Sequence, residues 1–290
     1  MSIVIENKEG LEFLDEISSS SINLVLTDPP YIISKQTGMN LQAQIASEYK
    51  DSGKTIKTEE EWDNYKTTEE WDTWMTSNDI VSNKQESKLK TLKQNYINYG
   101  SIYGKKYAVV TDYGAWDSDF TIDILDKFIH QYYRVLTNGG TLILFFDIWK
   151  ITILKELMEK AGFKQIRFIE WIKTNPQPLN SSINYLTNCR EIALLGIKKS
   201  KPTFNSKYDN AIYSFPLQGG KNRFHPTQKS LLLFEELIKK HSNEGDIVLD
   251  TFLGSGTTAL AAKKTNRSFK GCEISEEYYN KMMKLINPDE

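Results

Sequence analysis

The chain has 290 residues, 39% hydrophobic and 26% charged, with a formal net charge of −2. That is ordinary globular composition, long enough for one large domain or two small ones, and its slight acidity argues against indiscriminate binding to polyanions. The two cysteines, Cys189 and Cys272, lie far apart in sequence and fit neither a disulfide framework nor a metal-ligand pattern, which points to a reducing compartment.

Residues 1–15 carry four acids and no long apolar run, so neither a signal peptide nor a membrane anchor is expected, and a cytoplasmic protein is. Residues 22–27 read as a buried strand that ends at Asp28, followed by Pro29, Pro30 and Tyr31. Residues 35–111 change character: polar, rich in Lys, Thr, Ser, Asn and Tyr, with a small repeat, KTEEEWDNY (57–65) then KTTEEWDTW (66–74). Two copies are too few for a solenoid, so this stretch is expected to be an inserted, partly helical subdomain. Apolar residues at helical spacing predict a helix over 120–136, stopped by Asn138-Gly139-Gly140, and a strand at 141–146. A helix over 151–161 ends at Gly162; strands follow at 164–173 and 190–198, separated by a loop with Pro176 and Pro178. A helix over 228–241, a strand at 247–249, a helix over 257–264 and a strand at 268–272 complete the chain. Strands alternating with helices predict an α/β sheet covered on both faces.

In VLDTFLGSGTTALAA (248–262) a strand ends at Asp250, then Phe252-Leu253-Gly254-Ser255-Gly256 leads into a small-residue helix at Thr257. Glycines let such a turn close tightly and let a ligand approach the backbone. No Lys follows in the manner of a phosphate loop, and the third glycine of the dinucleotide fingerprint is missing. Glu273 closes the next strand, and a carboxylate there can accept from both hydroxyls of a ribose. A nucleoside without pyrophosphate fits best, S-adenosylmethionine being the common one.

Asp28-Pro29-Pro30-Tyr31 suits a different task. An exocyclic amine on adenine or cytosine is a poor nucleophile because its lone pair is delocalised into the ring. A site that accepts hydrogen bonds from both N–H groups frees that lone pair. Asp28 offers a carboxylate and Pro29 a carbonyl, the prolines add no competing N–H, and Tyr31 offers a face for stacking. A base in a duplex reaches such a site only when flipped out. Each loop alone also fits an ordinary turn; both at strand ends of one α/β sheet point to one shared site.

With these residues the chain resembles the S-adenosylmethionine-dependent DNA amino-methyltransferases. Asp28-Pro29-Pro30-Tyr31 matches their catalytic motif, Phe252-Leu253-Gly254-Ser255-Gly256 their cofactor motif, and RFHPTQKS (223–230) the segment before the cofactor strand. The catalytic motif comes first, as in the beta group, and its Asp is typical of members that methylate adenine at N6. The resemblance covers roughly 1–34 and 112–290. It implies a seven-stranded, mostly parallel Rossmann-like sheet with one reversed strand, the pair 164–173 and 190–198 forming its edge. It implies that Asp28 and the Pro29 carbonyl, beside Pro30, hold the amine and that Tyr31 stacks on the base. Phe252, Leu253, Gly254, Ser255, Gly256 and Thr257 would line the cofactor, Glu273 would bind its ribose, Asp250 would orient the loop, and Thr227 and Lys229 would lie near the methionine end. No metal is expected. Expected partners are DNA, a second copy of the chain and a cognate restriction endonuclease, with no membrane. The same motifs also fit cytosine-N4 or RNA methylation, or an inactive nucleic-acid-binding subunit.

Local charge marks the expected DNA surface. Residues 198–229 carry seven basic residues against Asp209, and 84–106 six lysines against Glu86. DNA is expected between 199–224, a short recognition segment, and the lysines of 84–106. The seven acids of 57–72 would face away or pack against basic residues.

Overall fold

A computed structural model describes residues 2–30, 57–77, 85–102, 120–176, 189–218 and 228–287. The chain divides into two units, one formed by Met1–Ile32 with Gly114–Glu290, the other by Ile33–Tyr113.

The first unit is an eight-stranded sheet. Its strands are β1 (Ile3–Asn7), β2 (Ile22–Thr27), β3 (Leu136–Phe146), β4 (Lys164–Lys173), β5 (Arg190–Ile197), β6 (Ile212–Phe215), β7 (Ile247–Asp250) and β8 (Ser268–Glu273). The order across the sheet is β1-β8-β7-β2-β3-β5-β4-β6. Only β5 is reversed: it pairs antiparallel with both β3 and β4, and every other pairing is parallel. One reversed strand agrees with the expectation, but the sheet has one more strand than expected. β4 is not the edge either, because β6, from the stretch read as a recognition segment, pairs along its outer side.

Six helices cover this sheet: α1 (Gly10–Asp15), α2 (Ile122–Val135), α3 (Ile151–Ala161), α4 (Leu231–His241), α5 (Thr257–Lys264) and α6 (Glu276–Ile286). Side chains alternate across a strand, so each buried strand feeds two cores. Leu24, Leu26, Ile143 and Phe145 point to a core shared with Leu233, Phe234 and Leu237 of α4 and Met282 of α6. Val25, Leu142, Leu144 and Phe146 point to the other, closed by Phe13 and Leu14 of α1, by Leu125, Phe128, Ile129 and Tyr132 of α2, and by Leu154 and Met158 of α3. α2 begins at Thr121, whose side chain accepts from the Ile124 N–H, and its buried residues recur at the three- and four-residue spacing of one helix face.

Asn138-Gly139-Gly140 does not stop a helix. α2 has already ended at Val135, and the three residues lie inside β3 as a bulge: Ile22 pairs with Leu136, but Leu24 pairs with Thr141. Gly139 has φ +83°, and a Cβ there would lie 2.5 Å from the Lys201 carbonyl oxygen. Lys198 secures the bulge. Its backbone exchanges hydrogen bonds with Gly139 and Gly140, and its buried ammonium donates to the Leu136 carbonyl at 2.6 Å and the Arg134 carbonyl at 3.1 Å. Lys198 therefore does not belong to an exposed basic face.

In the second unit the repeat becomes two short helices, Glu59–Tyr65 and Glu69–Ser77, with a third, Gln85–Tyr99. Thr58 and Glu61 form a reciprocal capping box at the first. The repeated tryptophans, Trp62 and Trp71, meet edge to face at 5.3 Å and are buried with Leu92 and Ile102. Three of the acids here pair with lysines: Glu61 with Lys57, Asp63 with Lys66, and Glu59 with Lys93. Lys84, Lys105 and Lys106 lie outside the described residues.

Among the described residues no helix is long and apolar enough to cross a membrane, and no cluster of His, Cys, Asp or Glu could hold a metal ion.

Candidate active site

β2, β7 and β8 are parallel neighbours, so their last residues emerge at one edge of the sheet. Those residues are Thr27, Asp250 and Glu273. Asp250 is buried and accepts three hydrogen bonds: from Thr27 Oγ1 at 2.7 Å, from Thr258 Oγ1 at 2.6 Å and from the Phe252 N–H at 3.0 Å. Burial pushes its carboxyl above the usual range, and the three donors oppose that. One carboxylate thus ties the end of the catalytic strand, the start of the glycine loop and the first turn of α5 together.

The loop after β7 turns on two residues with left-handed backbone, Gly254 at φ +49° and Gly256 at φ +77°. A Cβ on Gly256 would run into the Met282 side chain, 2.8 Å from its Sδ. Leu253 drops into the core and its N–H donates to the Cys272 carbonyl; Ser255 and Thr257 are buried with their hydroxyls 2.9 Å apart. Phe252 packs on Phe128 at 4.7 Å and edge to face on Phe120 at 5.5 Å.

Glu273 closes the loop from the other side. Its Oε2 accepts from the Gly254 N–H at 2.7 Å and its Oε1 from the Ser275 N–H at 2.8 Å. Burial raises this carboxyl, and the backbone donors counter it. Each oxygen keeps a further lone pair, so the carboxylate can still accept from a ligand diol. Tight glycine turns, a buried acid bracing the loop and an acceptor-only group at the next strand end fit a nucleoside.

Asp28 stands one residue beyond Thr27. Its Oδ2 is 2.7 Å from Lys229 Nζ, and among the described residues its buried Oδ1 has no hydrogen-bond partner. Burial raises its carboxyl to about 6, with Lys229 pulling against that rise and Glu191 adding to it. Lys229, expected near the methionine end of a cofactor, is held between two carboxylates, donating also to Glu191 Oε2 at 2.6 Å. Glu191 Oε1 in turn is 2.7 Å from Lys173 Nζ. Burial works against the Glu191 charge, but the two lysines outweigh it and hold the carboxyl below its ordinary value. Glu191 and Lys173 went unnoticed in the sequence; the available signal was a charged residue near one end of each of the strands 190–197 and 164–173. Tyr31 and Thr227 lie outside the described residues. Cys272 is buried, whereas Cys189 is half-exposed.

An acceptor carboxylate beside a nucleoside-shaped strand-end loop, on a sheet with one reversed strand, defines a nucleoside-dependent group-transfer enzyme. The DNA methylase family profile matches residues 103–284, downstream of Asp28. The chain belongs to that family; its substrate is DNA and its methyl donor is S-adenosylmethionine. Similar sequences include the type II methyltransferase M2.DpnII of Streptococcus pneumoniae, 32% identical over 205 residues, which span 63% of this chain and 75% of that protein. The type II methyltransferase M.HpaI of Haemophilus parainfluenzae is 32% identical over 216 residues, 66% of this chain and 68% of that one. The fold is shared with the crystal structure of an M1.HpyAVI–SAM complex, at TM-score 0.59 and 23% identity, covering 98% of this chain and 99% of that one. It is also shared with the PvuII cytosine-N4-specific DNA methyltransferase, at TM-score 0.61 and 15% identity, covering 97% and 85%.

Proposed function

We propose that the protein is a site-specific DNA adenine-N6 methyltransferase, the modification half of a type II restriction–modification pair. The observation that carries the reading is the state of Asp28. One oxygen is anchored by Lys229 and the other is buried and has no partner among the described residues, an acceptor prepared for a donor that arrives with the substrate. The amine of a flipped-out adenine is such a donor. When bound, S-adenosylmethionine supplies an electrophilic methyl group. Gly254, Gly256 and Glu273 would hold its nucleoside, with Leu253, Ser255 and Thr257 shaping the wall and Phe252 against it. Asp28, with the Pro29 carbonyl, orients the amine and draws its hydrogens away from the ring plane, which frees the lone pair for attack. The amine must approach that methyl group in line, so holding both at one sheet edge lowers the barrier through positioning. The type II names of the similar sequences support the restriction–modification setting, and with it a cognate endonuclease and a cytoplasmic location. A homodimer is a separate proposal, read from sedimentation of the purified protein.

The test uses unmethylated DNA, S-adenosylmethionine and nucleoside analysis of the product by mass spectrometry. N6-methyladenine from the wild type, and none from Asp28→Ala with cofactor binding retained, is the expected result. N4-methylcytosine as the product, or Asp28→Ala turning over within a few-fold of wild type, overturns it.

A further inference from the structure

Four charged side chains from four different elements alternate in sign through the active site. Asp28 follows β2, Lys229 precedes α4, Glu191 lies on β5 and Lys173 ends β4, linked at 2.7, 2.6 and 2.7 Å. Lys229 is almost wholly buried, with its ammonium 5.5 Å from the centre of the Phe145 ring. An ammonium so desolvated and bound to Asp28 alone would hold that carboxylate tightly and weaken it as an acceptor. Without Glu191 the cluster would also hold two ammoniums, Lys229 and Lys173, against the Asp28 carboxylate alone, a net positive charge near the point where a sulfonium has to react. Glu191 removes both problems, because it shares Lys229 and cancels its charge. Lys173, over the Trp171 ring at 5.5 Å, keeps Glu191 ionised in turn.

We propose that Glu191 is a positioning residue for methyl transfer: by sharing Lys229 with Asp28 it leaves one Asp28 oxygen available to the target amine and keeps the transfer site free of net positive charge. This rests on the reading of Asp28 as the amine acceptor. The remaining charges near the relay act in known directions. Asp250, on β7, adds to the rise of the Asp28 carboxyl, and Arg190, next to Glu191, is drawn aside to Glu170 on β4 at 3.2 Å.

The relay gives opposite predictions for its two outer links. In Glu191→Gln, Lys229 loses one carboxylate counter-ion and its charge acts more strongly on Asp28, so the Asp28 carboxylate persists to lower pH. In Lys173→Met, Glu191 loses its own counter-ion and presses harder on Asp28, so the carboxylate is lost at higher pH. Single-turnover methylation of DNA at saturating S-adenosylmethionine is measured from pH 5 to 8 for wild type, both variants and Asp28→Ala. The wild-type acid limb is expected near the pH at which Asp28 titrates, about 6. The limb should move down in Glu191→Gln and up in Lys173→Met, each by roughly one unit, the size that loss of a charge within hydrogen-bonding reach produces. A slower rate is expected in Glu191→Gln at every pH above its limb. A residue that merely supports the fold would lower the rate without moving the limb, and in no case in opposite senses for the two variants. Stationary limbs in both variants, with Asp28→Ala inactive, overturn the proposal and leave Asp28 as the acceptor. An active Asp28→Ala overturns the acceptor reading itself. Should Glu191→Gln fail to fold, the upward shift in Lys173→Met decides alone.

Discussion

Thr27 and Asp250, the last residues of neighbouring strands β2 and β7, are joined by a hydrogen bond of 2.7 Å between the hydroxyl and the carboxylate. Asp28 begins immediately after the first and the glycine loop after the second, so the loop expected to hold the amine and the loop expected to hold the cofactor share one buried brace. Removing it should loosen both. Asp250→Ala strands three donors, two hydroxyls and the Phe252 N–H, each costing about 1–3 kcal/mol when buried and unmet. The expected loss is about 3 kcal/mol in urea unfolding, with weaker cofactor binding and slower turnover in whatever remains folded. Thr27→Val, which removes one donor, should cost about 1 kcal/mol.

Gly256→Ala should damage the cofactor loop selectively. The position has φ +77°, and the added methyl group meets Met282 on α6. Left-handed backbone costs a non-glycine residue about 1–2 kcal/mol before any clash. The expected outcome is a fold with a modestly lower melting point and at least tenfold weaker S-adenosylmethionine binding by calorimetry. Wild-type affinity would exclude this turn from the cofactor site.

Acid sensitivity of the fold should trace to His241. This ring, at the end of α4, is buried, its Nδ1 has no partner among the described residues, and burial lowers its pKa from 6.5 to about 4. The unfolded chain therefore binds a proton that the native state does not between pH 6.5 and 4. Stability from this group is complete above 6.5 and falls as the pH drops through that window, by about 3 kcal/mol in all. Unfolding of His241→Met across pH 4–7 should show a shallower acid-side slope than wild type.

Trp62→Ala tests whether the two units are independent. A buried tryptophan reduced to alanine costs about 3–5 kcal/mol, more than a small core can lose. Trp62 touches Tyr65, Trp71 and Tyr96 through ring contacts. Limited proteolysis should cut within 33–113 while cofactor binding by the sheet persists. Lost cofactor binding would mean that the units stand or fall together.

The lysines of the third helix in that unit offer less to DNA than their number implies. Lys93 is engaged by Glu59 and Lys88 sits over the Trp74 ring at 5.2 Å, while Lys90 is exposed. Substituting Lys88, Lys90 and Lys93 by Gln should therefore lower the salt dependence of DNA binding by about one phosphate contact rather than three. An unchanged slope would remove this helix from the DNA surface.

The sheet was legible in the sequence wherever apolar runs were long. LVLT into Asp28 and TLILFF into the next helix announce central strands, and the spacing of Leu125, Phe128, Ile129 and Tyr132 announces α2. β1 and β6 were not legible: the first is five residues at a terminus, the second four residues inside a polar stretch, and both are strands because a neighbour offers an edge. Asn138-Gly139-Gly140 was read by its turn chemistry, whereas pairing with β2 on one side and Lys198 on the other extends the strand through it. The partners of Lys229 were hidden for a different reason. Glu191 is 38 residues away in sequence and meets Lys229 only because the reversed strand starts at the active-site edge. The basic stretch 198–229 misled by counting charge without depth, since Lys198 and Lys229 are both buried.

The second unit leaves the chain four residues after Asp28 and returns ahead of α2, and the strands on either side of it, β2 and β3, lie next to each other in the sheet. The strands that flank the excursion in sequence are thus held together by strand pairing. Closing a longer excursion adds only about 0.6 kcal/mol for each doubling of its length. The residues named for the Asp250 brace and the Lys229 relay all lie outside that excursion. Its length can therefore vary between lineages at little entropic cost without altering the sequence of either constellation.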